Sequence, residues 1–185
     1  MNKAELRKLY IEKRKSFVAF KTQYDEKIYN NFIKSDDYAE FDGILCYVST
    51  EIEVDTDRII TKAFEDGKTV AVPKCVCGTN IMHFYEIRSF DDLEKGFFGI
   101  REPKTDEEIT DFENYLCIVP ALSIDKNGYR LGYGKGFYDR FLSENNVKTI
   151  GLCYKDFLTD NLPHEEHDIK IQVIVTEDEI HENRR

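Results

Sequence analysis

Apolar residues recur along this chain in two rhythms, one helical and one of short unbroken runs. Over residues 3–18, Leu6, Leu9, Tyr10, Lys13 and Phe17 follow helical spacing with Lys and Arg on the other face, which predicts an amphipathic helix. A second helix is expected from about Tyr24 to Lys34, with Ile28, Phe32 and Ile33 as its apolar stripe. Gly43–Val48 is a continuous apolar run and reads as a buried strand. The polar stretch Ser49–Asp55 leads into a helix from about Asp57 to Glu65, with Thr56 or Asp55 as N-cap and Asp66-Gly67 as its end.

Downstream, Thr69–Val72 before Pro73 and Ile81–Ile87 read as strands, joined by a hairpin or crossing loop through Gly78-Thr79-Asn80. Phe90–Asp111 is rich in loop residues. Tyr115–Ile124 is expected as one strand that delivers a glycine-rich segment, and Gly136–Leu142 begins a helix. Lys148–Tyr154 and Ile171–Thr176 complete the strands. Strands alternating with helices predict a three-layer α/β/α sandwich with a largely parallel, Rossmann-like central sheet and N-terminal helices. Such sheets bind ligands at the carboxyl ends of their strands. Ser49–Glu53, Asp125–Asp139 and Tyr154–Asp156 all follow strand ends, so they are expected to converge on one cleft.

At 185 residues the chain is expected to form one domain, spanning 1–185. Its net charge of −10 argues against broad nucleic-acid binding, which needs a basic face. Local cation clusters at Lys3–Lys15 and Lys126–Arg140 still suit a small anionic ligand. No apolar run approaches a membrane span, and the N-terminus lacks a signal-type apolar core, so no membrane contact and a cytoplasmic location are expected. Cys46, Cys75, Cys77, Cys117 and Cys153 show no zinc spacing and are expected as buried free thiols.

The most informative stretch is Val119–Leu142, VPALSIDKNGYRLGYGKGFYDRFL. After the turn Asp125-Lys126-Asn127-Gly128 come Arg130, then Gly132, Gly134 and Gly136 alternating with Tyr133 and Lys135, then Phe137-Tyr138-Asp139. Glycines let a ligand approach backbone N–H groups. Arg and Lys offer charge-assisted hydrogen bonds to phosphate, and an Asp at a helix start can hold Mg²⁺. These residues predict a polyphosphate site with a metal. The segment is not a Walker A loop, because Tyr129 and Gly136 stand where that motif needs Gly and Ser or Thr. It is a poor Rossmann fingerprint as well, because its glycines follow a long turn rather than the strand itself. A plain flexible connection would leave the interleaved Arg130, Lys135 and Asp139 unexplained.

Written out, the run V-P-A-L-S-I-D-x-x-G-Y-R-L-G-Y-G-K-G-F-Y-D-R resembles the signature of the 5-formyltetrahydrofolate cyclo-ligase family, also called methenyltetrahydrofolate synthetase. Three shorter stretches match in order: Lys3-Ala4-Glu5-Leu6-Arg7, Glu53-Val54-Asp55-Thr56 and Asp168-Ile169-Lys170-Ile171-Gln172. Ala121, Ile124 and Phe137 depart mildly from the family pattern, and Gln172 stands where a second Asp is usual.

The resemblance implies ATP- and Mg²⁺-dependent cyclisation of 5-formyltetrahydrofolate, with or without a polyglutamate tail, to 5,10-methenyltetrahydrofolate, with ADP and phosphate released. It implies Arg130 and Lys135 as catalytic residues. Lys3, Arg7 and the run Arg130, Leu131, Gly132, Tyr133, Gly134, Lys135, Gly136, Phe137 and Tyr138 would line the nucleotide. Arg7, Val48, Glu53, Tyr133 and Phe137 would meet the folate, with Glu53 accepting from the pterin N–H edge. Asp139, and second Asp168, would hold the metal. His164 and His167 do not form H-E-x-x-H and are expected as exposed loop residues. Lys155 or the first helix is expected to meet a polyglutamate tail. The rival readings are a non-catalytic folate- or nucleotide-binding relative and an ATP-independent sugar-phosphate isomerase or acyl-transfer enzyme on a similar sheet.

Overall fold

A computed structural model describes residues 1–96 and 99–183. Its first helix, α1 (Lys3–Phe17), starts at a capping box: the Asn2 side chain accepts from the Glu5 N–H, and the Glu5 carboxylate accepts from the Asn2 N–H, both at 3.0 Å. Helices α2 (Lys21–Ile33), α3 (Asp36–Glu40) and α4 (Asp57–Glu65) follow, and α5 (Phe137–Glu144) comes late in the chain. The short α3, with Ser35 as its N-cap, was not expected; too little sequence separates it from α2 for periodicity to register.

The strands are β1 (Gly43–Cys46), β2 (Thr69–Cys75), β3 (Met82–Ile87), β4 (Leu93–Lys95), β5 (Arg101–Pro103), β6 (Glu108–Ile109) and β7 (Tyr115–Val119). After them come β8 (Ser123–Asp125), β9 (Arg130–Leu131), β10 (Lys148–Leu152), β11 (Leu158–Thr159), β12 (Val173–Val175) and β13 (Ile180–Glu182). The main sheet has the order β13-β12-β10-β7-β1-β2-β3-β6. Its five central strands, β12 to β2, run parallel, and antiparallel strands close both edges.

Period-two alternation divides the buried strand residues between two faces. Ile44, Cys46, Val70, Val72, Leu116 and Ile118 pack with Ile28 and Phe32 of α2 and Ile59, Ile60 and Ala63 of α4. Leu45, Ala71, Cys117 and Val119 pack on the other side with Phe84 of β3 and Phe141 and Leu142 of α5. The three-layer α/β/α reading holds, with one short helix as the thinner layer.

Several boundaries differ from expectation for identifiable reasons. Tyr115–Ile124 is two strands, because Pro120 ends the ladder and β8 leaves to pair with β9 and β11. Strand β2 continues through Pro73 to Cys75, since the β1 ladder has already ended at Ala71. The β2–β3 connection is a hairpin. Within the loop-rich Phe90–Asp111 stretch lie the β4–β5 hairpin and β6. On α1 the buried positions are Tyr10 and Arg14, whereas Leu9 is exposed. Cys46, Cys117 and Cys153 are buried thiols as expected, and burial pushes Cys117 up to about 12 and Cys153 up to about 11. Cys75 and Cys77 are exposed, because β2 runs out past its parallel neighbour there.

Phe84 is fully buried and meets Phe112, Tyr138 and Phe141 edge-on or tilted. Phe84→Ala should cost about 3–5 kcal/mol, because this thin layer has little with which to refill the cavity. A urea unfolding curve reads it; a loss within experimental error would refute this account of the second core.

Candidate active site

The parallel strands release their loops at one end of the sheet, and the expected cleft residues lie there. After β1, the chain turns through Ser49–Thr56. Thr56 does not cap α4 with its side chain; its Oγ1 donates to the Tyr47 carbonyl at 2.7 Å, while Asp55 Oδ1 accepts from the Asp57 N–H at 3.0 Å. Glu53 is buried, and its Oε2 accepts from both the N–H and the Oγ1 of Thr50 at 2.8 Å. Val48, just past β1, is buried in the helix-side core.

The β8–β9 hairpin delivers the glycine segment. Its turn is built on Asp125, fully buried, whose carboxylate accepts from the N–H groups of Asn127 (2.9 Å), Tyr129 (3.0 Å) and Leu162 (2.9 Å). Backbone donors satisfy that buried carboxylate. Gly128 has φ +89°, and a Cβ there would lie 2.6 Å from the Ile171 carbonyl, so the turn admits only glycine.

Beyond β9, Gly134 (φ +90°) and Gly136 (φ +71°) flank Lys135, and Gly136 stands just before the first turn of α5. Lys135 is exposed and makes no ion pair among the described residues. Leu131 is buried in the core and can offer a ligand only its backbone. The Tyr133 ring is half-exposed, but its hydroxyl lies against Glu53; burial and that carboxylate hold its pKa far above the usual value. Tyr133 thus joins the glycine loop to the Glu53 loop.

Arg130 does not reach openly into the cleft. Its side chain is 5% exposed, donates to the Ile169 carbonyl at 2.9 Å and pairs with Asp139 Oδ1 at 3.0 Å. The same Asp139 oxygen accepts from the Ile169 N–H at 3.1 Å, so Asp139 sits beside Asp168 in space. Asp168 takes Lys3 Nζ at 2.5 Å and the Glu165 N–H at 2.6 Å. Arg7 Nε donates to the Gly132 carbonyl at 3.0 Å, and its guanidinium packs where a Cβ on Gly134 would be. Lys3, Arg7, Arg130, Lys135, Asp139 and Asp168 therefore belong to one rim, tied together by α1. Phe137 and Tyr138 pack against the second core, and the Tyr138 hydroxyl is buried without a partner among the described residues. His164 and His167 are exposed; His164 stacks on Tyr129 with ring centroids 3.7 Å apart.

No group of three or more His, Cys, Asp or Glu side chains suited to a metal occurs among the described residues. Asp139 and Asp168 are each held by one cation and one backbone N–H. Gln172 takes no part: its Oε1 accepts from the Thr149 N–H at 2.8 Å and so braces β12 against β10. Sequence patterning missed Asp125, Arg14 and Asp25. Arg14 was legible in part, since it falls on the same helical stripe as Tyr10 and Phe17; Asp25 meets Asp55 and Tyr154 across the fold, and Asp125 joins its own turn to the distant Leu162.

An open parallel sheet with a glycine loop, cations and carboxylates at its strand ends is an α/β enzyme site of the ligand-at-the-carboxyl-edge type. Residues 1–177 match the profile of the 5-formyltetrahydrofolate cyclo-ligase family. A probable 5-formyltetrahydrofolate cyclo-ligase of Caenorhabditis elegans is 32% identical, covering 83% of this chain and 82% of that one. The mouse 5-formyltetrahydrofolate cyclo-ligase is 30% identical, over 79% of this chain and 78% of its own. The 5,10-methenyltetrahydrofolate synthetase structure from Aquifex aeolicus superposes with a TM-score of 0.88 at 30% identity, covering 100% of this chain and 94% of that one. The chain belongs to the 5-formyltetrahydrofolate cyclo-ligase family.

Burial raises the Asp168 pKa, but Lys3 and the Glu165 N–H lower it further, leaving it below the usual carboxylate value. A depressed carboxylate contributes stability that is present above its unfolded pKa and lost as pH falls through the folded one, so this tether weakens only below about pH 4. In Lys3→Met the Asp168 carboxyl carbon, followed by NMR, should titrate at higher pH than in the parent. An unchanged titration would sink the tether.

Proposed function

We propose that this protein converts 5-formyltetrahydrofolate to 5,10-methenyltetrahydrofolate at the expense of ATP, giving ADP and phosphate. The observation that supports this is the meeting of two half-sites at Tyr133, a glycine-loop residue whose hydroxyl lies near Glu53. One is a rim of cations and carboxylates around a glycine loop, and the other is a buried carboxylate, Glu53, able to accept from a flat N–H edge.

The chemical obstacle is the formyl group, whose amide-like oxygen is a poor leaving group. Transfer of the ATP γ-phosphoryl group to that oxygen gives an iminium phosphate and ADP. The neighbouring folate amine then attacks the activated carbon and gives up its proton to solvent, and the C–O bond breaks to release phosphate as the ring closes. The amine and carbon belong to one bound molecule, so the attack is intramolecular. The protein's task is to position the reactants and neutralise charge, as in other phosphoryl transfers.

In this reading Lys135 and the N–H groups of the glycine loop meet the phosphates. Arg7, already bonded to Gly132, lies between nucleotide and folate. Arg130 orients Asp139 through their ion pair. Asp139 and Asp168 would hold Mg²⁺, which when bound neutralises phosphate oxygens. Glu53 accepts from the pterin, with Val48 behind it and Tyr133 and Phe137 beside the ring. Lys155 is paired with Asp178 at 2.7 Å, which leaves the exposed lysines of α1 to meet a polyglutamate tail. The chain acts as one catalytic unit in the cytoplasm; no helix among the described residues is long and apolar enough to cross a membrane.

Absorbance of the methenyl product, followed with and without ATP, tests this directly. Product should form only with ATP and Mg²⁺; its absence with both would overturn the assignment and favour a binding protein. Asp139→Ala and Lys135→Ala should each lower turnover by about 10²–10³-fold or more, the scale of losing a preorganised charge at a transferring group. Full activity in either variant would remove that residue from the site.

A further inference from the structure

Two buried charges of the helical layer grip the loop that carries Glu53, and the chemistry above uses neither. Arg14, on α1, is 1% exposed. Its Nη1 donates to the Ile52 carbonyl and its Nε to the Leu122 carbonyl, both at 2.9 Å. The guanidinium lies over the rings of Phe157 (4.8 Å) and Tyr154 (5.6 Å), and Nη2 has no partner among the described residues. Asp25, on α2, is 6% exposed. It takes Lys21 Nζ at 2.6 Å, the Tyr154 hydroxyl at 2.5 Å and the Asp55 N–H at 3.2 Å. The Tyr154 hydroxyl also lies 3.4 Å from the Glu53 carbonyl.

A buried guanidinium facing carbonyls rather than a carboxylate is a costly way to fill a core position. A leucine would satisfy the apolar stripe of α1. Arginine adds two donors in a rigid fork, which hold two separate carbonyls in fixed relation. Those carbonyls belong to the loops leaving β1 and β7. Ile52 immediately precedes Glu53, and Leu122 immediately precedes the strand that leads into the glycine segment. Asp25 and Tyr154 hold the other end of the same loop, at Asp55 and Glu53.

We propose that Arg14, with the Asp25–Tyr154 pair, is a positioning residue for Glu53. It fixes the backbone of Ile52–Asp55 so that the carboxylate meets the pterin edge, and it thereby sets affinity for the reduced folate but not for ATP. This rests on the assignment of Glu53 as the folate acceptor.

Calorimetric titration separates the two ideas. 5-Formyltetrahydrofolate without ATP, and separately a non-hydrolysable ATP analogue, are titrated into the parent protein, Arg14→Lys, Glu53→Gln and the double variant. Arg14→Lys should weaken folate binding about tenfold and leave the nucleotide within about twofold, and the double variant should bind folate no more weakly than Glu53→Gln alone, as coupled residues do. Equal loss for both ligands, or additive losses for folate, overturns the positioning role, since a merely structural arginine would act in those ways. If Glu53→Gln weakens folate binding and Arg14→Lys does not, the positioning role falls alone. If Glu53→Gln leaves folate affinity unchanged, the Glu53 assignment falls and takes the positioning role with it. Should Arg14→Lys lack a cooperative melt, Tyr154→Phe decides by the same criteria, because it keeps the ring in the core and deletes only the hydroxyl.

Discussion

One helix holds the strand-end loops in register. Lys3, Arg7 and Arg14 lie along α1 at spacings that place them near one face. Each grips a different part of the chain: Lys3 takes Asp168, Arg7 takes the Gly132 carbonyl, and Arg14 takes Ile52 and Leu122. A parallel sheet gathers its loops at one end but does not set their mutual distances. Here cations on a rigid rod do so, and the rod is seated by Tyr10 and Phe17 against Tyr154 and Phe157.

The electrostatics of the site are local against the net negative charge of the chain. Arg130 is balanced by Asp139, and Lys3 by Asp168, within a rim that also presents the exposed ammonium of Lys135. Charge-assisted pairs of this kind orient carboxylates as much as they stabilise them. Asp125 shows the opposite solution, a buried carboxylate held wholly by backbone N–H groups. It gives the turn before Arg130 a defined shape, so that the glycine loop leaves a rigid base.

The departures from the family pattern are matters of packing. Ala121 and Ile124 are buried, and Ile124 occupies the space that a side chain on Gly151 would need. Phe137 packs against the second core. Gln172 serves Thr149 at the start of β10 and has no bond to Asp139 or Asp168. Asp139 and Asp168 draw their support from Arg130, Lys3 and backbone N–H groups instead.

Much of this architecture was legible in the order of residues. Apolar runs and helical stripes identified the parallel core strands and α1, α2, α4 and α5, because burial on both sheet faces demands continuous apolar strands. The glycine segment and its flanking charges identified the family. Tertiary structure decided what patterning cannot encode: that the expected strand over Tyr115–Ile124 breaks at Pro120, that Cys75 lies in solvent, and that Arg14 of the amphipathic first helix is buried. It also decided the partners of Arg130 and Gln172. The physical reason is range. Periodicity reports which side of an element faces the core, whereas the bonds Arg14–Ile52, Lys3–Asp168 and Tyr154–Asp25 join residues far apart in sequence, and only the folded chain brings those charges together.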